Sequence, residues 1–151
     1  MSDLYQSVVT FFTQDDWPFT PIEQTTMLRT AYQGKNGAWT CFAQVREEQQ
    51  QFLFYSICPE RVPEDHRLIL ADFFTRANYG LAIGNFEMDV TDGEIRYKTS
   101  IDVEGDRLST VLIKQLVYAN VVVMDTYLPG IMAVMFANVS PAQAILQIEG
   151  H

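Results

Sequence analysis

The sequence predicts an α+β domain, with helices packed against one antiparallel sheet of five strands. Three observations carry that expectation. Residues 78–105 read as a β-hairpin around Asp92-Gly93. Three further strand candidates lie between Thr25 and Cys58, separated by turn and loop signals. Apolar residues at helical spacing occupy the beginning of the chain, the stretch after Pro63 and the stretch after Leu108. The order is helix, three strands, helix, two strands, helix, then further helical segments. Short links between consecutive strands favour antiparallel pairing.

In chain order, Ser2 or Asp3 can cap a first helix, and Leu4, Tyr5, Val8, Phe11 and Phe12 would form its buried stripe. Trp17-Pro18 ends it, because the residue before proline disfavours helix. Residues 19–24 read as an extended connector. Residues 25–33 form the weakest strand candidate, and Lys35-Asn36-Gly37 is a turn signal. Residues 38–46 follow, with Trp39, Cys41, Ala43 and Val45 on one face. Residues 51–58 give the third strand, apolar on both faces: Phe52 and Phe54 point one way, Leu53, Tyr55 and Ile57 the other.

Pro63 and the acids after it open a second helix with a stripe of Val62, Ile69, Leu70, Phe73 and Ala77. In the hairpin, a two-residue loop at Asp92-Gly93 would set Val90 against Ile95, Met88 against Tyr97 and Phe86 against Thr99. The other face would pair Asp89 with Arg96 and Glu87 with Lys98, exposed to water. Gly84, facing inward, would let a helix approach the sheet. A long apolar helix over 108–128 should break or kink at Pro129-Gly130, followed by a short apolar piece. Ser140-Pro141 has the cap-then-proline order of a last helix. No linker or repeat interrupts the chain, so residues 1–151 are read as one domain.

Composition narrows function by exclusion. Of 151 residues, 48% are hydrophobic and 19% charged, which suits a folded core. Acids outnumber bases 19 to 10, for a net charge of −9, and the bases are scattered. Such a surface repels phosphate backbones and anionic lipid, so nucleic acid and membrane partners are not expected. No signal peptide is read at the N-terminus, and the most apolar run, 116–124, is short for a bilayer span. A cytoplasmic protein is the expectation.

Catalytic and metal patterns are absent. His66 sits among charges at a helix start, and His151 is the last residue. No histidine pair has ligand spacing. Cys41 and Cys58 should be free, buried thiols, offset diagonally by roughly 7–8 Å on neighbouring strands. The glycines do not form a phosphate loop, and the acids near Asp92 lack calcium-loop spacing. No cofactor and no catalytic residue are assigned. The feature that asks for a function is the second apolar face of the third strand. Trp39, Phe42, Leu53, Tyr55 and Ile57 are the candidate partner-binding residues. Their cover would be the first helix, the C-terminal segment or a second chain.

Several segments together resemble the YbjN family, bacterial proteins labelled as sensory transduction regulators. They are Pro63 and Arg67 through Asn78, then Ala82-Ile83-Gly84-Asn85-Phe86-Glu87, then Asp92-Gly93-Glu94-Ile95 and Tyr97. Asp125, Tyr127, Pro129 and Ser140-Pro141 fit as well. The resemblance implies an α-β-β-β-α-β-β-α order, a fold similar to the type III secretion chaperones, and possible homodimers. It implies no enzyme activity and no cofactor. The resulting expectation is a non-catalytic regulatory domain that binds another protein or itself. The alternative is a small-molecule binder or enzyme with a pocket between the sheet and the long helix.

Overall fold

A computed structural model describes residues 3–150. The chain runs α1 (Asp3–Gln14), β1 (Phe19–Ile22), β2 (Met27–Gln33), β3 (Ala38–Arg46), β4 (Gln51–Ile57), a 3-10 turn (Glu64–His66), α2 (Arg67–Tyr79), β5 (Asn85–Met88), β6 (Ile95–Asp102), α3 (Thr110–Phe136) and α4 (Pro141–Glu149). The sheet has six strands in the order β1-β2-β3-β4-β6-β5, with every pairing antiparallel. The fold class is as expected, with one strand more. The extra strand is β1, expected as a connector. It pairs Phe19 with Thr30 and Ile22 with Met27. At an edge, Pro21 interrupts no internal ladder, which is why a proline is tolerated there.

The helices form a second layer on one side of the sheet. Leu4, Tyr5, Val8, Phe11 and Phe12 of α1 are all buried, and Phe12 stacks on Phe54 of β4 with ring centroids 6.0 Å apart. Ser2, the other cap candidate, and His151 lie outside the described residues. In α2 the buried positions are Leu70, Phe73, Phe74 and Ala77, and Ile69 faces outward. Val62, Leu70, Phe73 and Ala77 are buried as expected, and Phe74 takes the place expected for Ile69 because it faces the sheet at β5. Phe74 stacks on Phe86 of β5.

The hairpin keeps its faces but not its register. Met88 pairs with Ile95 and Phe86 with Tyr97, two residues away from the expected partners. The bend is longer: the Asp89 N–H donates to Glu94 O at 2.9 Å, and the Asp89 carboxylate accepts from the Thr91 N–H and hydroxyl. A slip of two preserves side-chain parity. Ile95, Tyr97 and Thr99 are therefore buried as expected, whereas Val90 lies in the bend and is exposed. Gly84 precedes β5 at φ +83°, and a Cβ there would lie 2.6 Å from Lys98 O. It admits the β6 backbone, not a helix.

Helix α3 is one rod of 27 residues that runs through Pro129. Proline lacks the N–H that would bond the carbonyl four residues back, here Asp125. That carbonyl instead accepts from Asn36 Nδ2, in the β2–β3 turn, at 2.9 Å. The Asp125 carboxylate accepts the backbone N–H groups of Lys35 at 2.9 Å and Asn36 at 2.8 Å. Gly34 lies beneath this clamp, where a Cβ would sit 2.4 Å from Asp125 Oδ1 and push the carboxylate aside. The helix continues because a distant turn supplies what the proline removes. By length and composition α3 could cross a bilayer, but half of its most apolar window is buried within the protein. Met124 and Val121 contribute to the core beside the sheet. Asn120, fully buried, donates from Nδ2 to Phe54 O and Tyr97 O. Ser140 caps α4, accepting from the Gln143 N–H, and Pro141 follows as expected.

Candidate functional site: the outer face of the sheet

Side chains alternate across a strand, so one face of β3, β4 and β6 meets the helices and the other does not. The helix side carries Trp39, Cys41, Ala43, Val45, Phe52, Phe54, Ser56, Tyr97 and Thr99, all buried. The outer side carries Thr40, Phe42 and Gln44 of β3, Leu53, Tyr55 and Ile57 of β4, and Arg96, Lys98 and Ser100 of β6. The helix–sheet ring contacts and side-chain hydrogen bonds described above all fall on the inner side.

Four of the five candidate residues come together on the outer face. Phe42 sits opposite Tyr55, Leu53 lies one pleat along β4 and Ile57 one pleat the other way. Phe42, Leu53 and Ile57 are half-buried. Tyr55 is more enclosed because the Arg96 guanidinium lies over its ring, 4.4 Å from the centroid. Trp39 does not join them. It is 4% exposed, on the helix side, and its Nε1–H donates to Ser56 Oγ at 2.9 Å. The reason is parity: Trp39 shares its face with Cys41, not with Phe42.

The cations beside this stripe could not be found without the cross-strand register. One row reads Arg29, Phe42, Tyr55, Lys98 across β2, β3, β4 and β6. The next brings Ile57 beside Arg96. Glu87 of β5 accepts from Arg96 at 2.6 Å and Lys98 at 2.9 Å. Burial raises the Glu87 carboxyl pKa, but these two cationic hydrogen bonds outweigh it and leave the group below its ordinary value. Two depressions adjoin the stripe and share Ala31 and Thr40. One, about 520 Å³, reaches Arg29 and Phe42; the other, about 530 Å³, reaches Ile57 and Arg61.

The sheet edges are less available than its face. Edge strand β1 contains Pro21. At edge strand β5, the Asn78 side chain both accepts from the Phe86 N–H at 2.7 Å and donates to Phe86 O at 3.1 Å. An amide thus occupies the place of a further strand.

The remaining candidates stay chemically quiet. Cys41 and Cys58 are free and buried. Burial pushes their thiols up to about 12 and about 11, away from the reactive thiolate range. The His66 ring lies against its exposed neighbour Asp65, with Nδ1 2.9 Å from Oδ1. Asp92 and Glu94 pair with Arg61. Among the described residues, no cluster of histidine, cysteine and carboxylate has the arrangement to hold a metal ion.

Comparison with known proteins adds a family. Residues 5–132 match the YbjN family, described as "Putative bacterial sensory transduction regulator". No curated protein is similar enough in sequence to count as a relative. Among solved structures, E. coli YbjN superposes with a TM-score of 0.59 at 12% identity, covering 88% of this chain and 90% of that one. The HopA1–SchA chaperone–effector complex gives 0.55 at 14%, over 83% and 94%. The Yersinia pestis type III secretion chaperone SycH, solved with a fragment of YscM2, gives 0.50 at 11%, over 78% and 93%. At these identities the likeness to solved structures concerns the fold, which is that of the secretion chaperones. The family match spans most of the sequence, and the chain belongs to the YbjN family.

Proposed function

We propose that this chain is a non-catalytic, protein-binding regulatory domain of the cytoplasm that receives its partner on the outer face of the sheet. The observation that carries this reading is the one-sided layering. The helices cover one face, and an apolar stripe of Phe42, Leu53, Tyr55 and Ile57 lies on the other. Apolar side chains gathered on an uncovered face are a common mark of an interaction site. The chaperones of similar fold were solved with protein partners, which supports the same use of the fold here. A second copy of the chain is the alternative occupant.

Leu53→Asp and Ile57→Asp test the surface. Each puts a charge on the stripe without touching the helix side. Native affinity capture with the wild-type chain should return a partner that either variant loses, with folding unchanged by circular dichroism. Sedimentation over a range of concentrations identifies the second copy as occupant. A partner retained equally by both variants contradicts the surface assignment.

A further inference from the structure

The occupant's chemistry follows from the charges around the stripe, and the inference rests on the reading of the outer face as a binding surface. The chain has a net charge of −9, so a basic patch on it is against the average. The outer positions of the strands nevertheless hold Arg29, Arg46, Arg96 and Lys98, against Glu87 and Asp102, with Asp89 and Glu94 beside Arg96 at the β5–β6 bend. Glu87 is shared by Arg96 and Lys98. Arg46 reaches Gln51, which reaches Asp102. Arg29 is exposed, and its side chain makes no hydrogen bond or ion pair among the described residues. Beyond the end of the stripe, Arg61 is already matched by Asp92 and Glu94.

The spacing is as informative as the sign. Arg29, Phe42, Tyr55 and Lys98 occupy one row on four adjacent strands. At roughly 4.8 Å between strands, the two cations stand about 14 Å apart, with two aromatic rings between them. An α-helix with its side chains is about 10–12 Å wide. A helix laid along β3 and β4 would place an apolar stripe on Phe42, Leu53, Tyr55 and Ile57. Its two flanks would then face Arg29 on one side and Lys98 with Arg96 on the other. A strand added at an edge would miss this arrangement, and Asn78 and Pro21 already blunt the edges.

We propose that the outer face binds an amphipathic helix of a partner protein, with an aliphatic stripe flanked on both sides by Asp or Glu. Charge complementarity selects the acidic flanks, and the apolar stripe supplies contact area.

The test uses three synthetic helical peptides with one leucine stripe and flanks of Glu, Gln or Lys. Binding to the full chain is read by fluorescence anisotropy at low and moderate salt. The Glu peptide should bind about tenfold tighter than the Gln peptide, and the Lys peptide should bind weakest. Added salt should narrow the differences. Arg29→Glu, at an exposed position, should weaken the Glu peptide about fivefold and leave the Gln peptide unchanged. Lys98→Gln, which keeps most of the side-chain length, should act in the same direction.

Equal binding of all three peptides, abolished by Leu53→Asp, overturns the acidic-helix proposal and leaves the binding face standing. Binding of the Glu peptide that Leu53→Asp does not affect overturns both. No binding by any peptide overturns the helix proposal. Tighter binding of a single-stranded oligonucleotide, lost in Arg29→Glu, would replace the acidic helix with a nucleic acid.

Discussion

Helix α3 survives Pro129 because Asn36 takes the place of a missing backbone donor, and that exchange can be measured as a coupling. In the wild-type chain Asn36 Nδ2 bonds the Asp125 carbonyl at 2.9 Å, the group that the residue at 129 would bond if it had an N–H. Asn36→Ala removes the substitute. The site is exposed, so water recovers part of the loss, and the net cost should be about 1 kcal/mol. For a domain of this size that lowers Tm by about 2–4 °C. Pro129→Ala restores the helix donor and should stabilise, by less than the ~3 kcal/mol that separates alanine from proline in an unsupported helix interior. In that background the carbonyl is already bonded, and Asn36→Ala should cost only a few tenths of a kcal/mol. Urea unfolding of the four proteins closes the cycle. A coupling of about 0.5–1 kcal/mol is expected. Equal costs of Asn36→Ala in both backgrounds, within about 0.3 kcal/mol, would refute the exchange.

Three further outcomes follow from the same coordinates. Asn120→Ala removes a fully buried side chain that bonds the Phe54 and Tyr97 carbonyls. Its Oδ1 has no partner among the described residues, which offsets some of the loss. Unfolding free energy should still fall by about 2 kcal/mol, and a change under ~0.5 would mean the amide contributes nothing net. The thiols of Cys41 and Cys58, raised by burial, should resist a disulfide reagent at pH 8 until urea unfolds the chain. Because the unfolded thiols ionise first, they contribute no pH dependence below about pH 8. Stability should then fall as pH rises through about 9 towards 11–12, which thermal melts can follow. Glu87 has the opposite sign. Its folded pKa is depressed, so its contribution is present above the ordinary value of 4.5 and lost as pH falls below it. The stability gap between wild type and Glu87→Gln should therefore close on acidification, and a gap constant from pH 6 to pH 3 would contradict the assignment.

How much of this was legible depends on whether the deciding contact is local. The buried stripe of α1 and the caps of α4 follow from spacing within one element, and they appear as expected. The hairpin faces follow from parity, but its register depends on how the Asp89 carboxylate organises the bend, which a two-residue turn rule does not include. β1 is four residues long and carries Pro21, so its sequence reads as coil. Its partner β2 completes the strand. Continuity at Pro129 depends on Asn36, which bonds the Asp125 carbonyl from 89 residues away. The same division holds on the outer face. Phe42, Leu53, Tyr55 and Ile57 were visible as a second apolar face. Trp39 belonged to the other parity. Arg29, Arg96 and Lys98 emerge only when four strands are set side by side.

The central claim is that the outer face of the sheet lies open in the free chain. Maleimide labelling of Thr40→Cys and Ser100→Cys measures this directly, with Ala43→Cys as the helix-side control. In dilute protein the first two should react at rates near those of the unfolded chain, while Ala43→Cys and the native thiols stay protected. Protection of both outer positions would mean that the chain covers its own face, and the binding surface would have to be sought elsewhere.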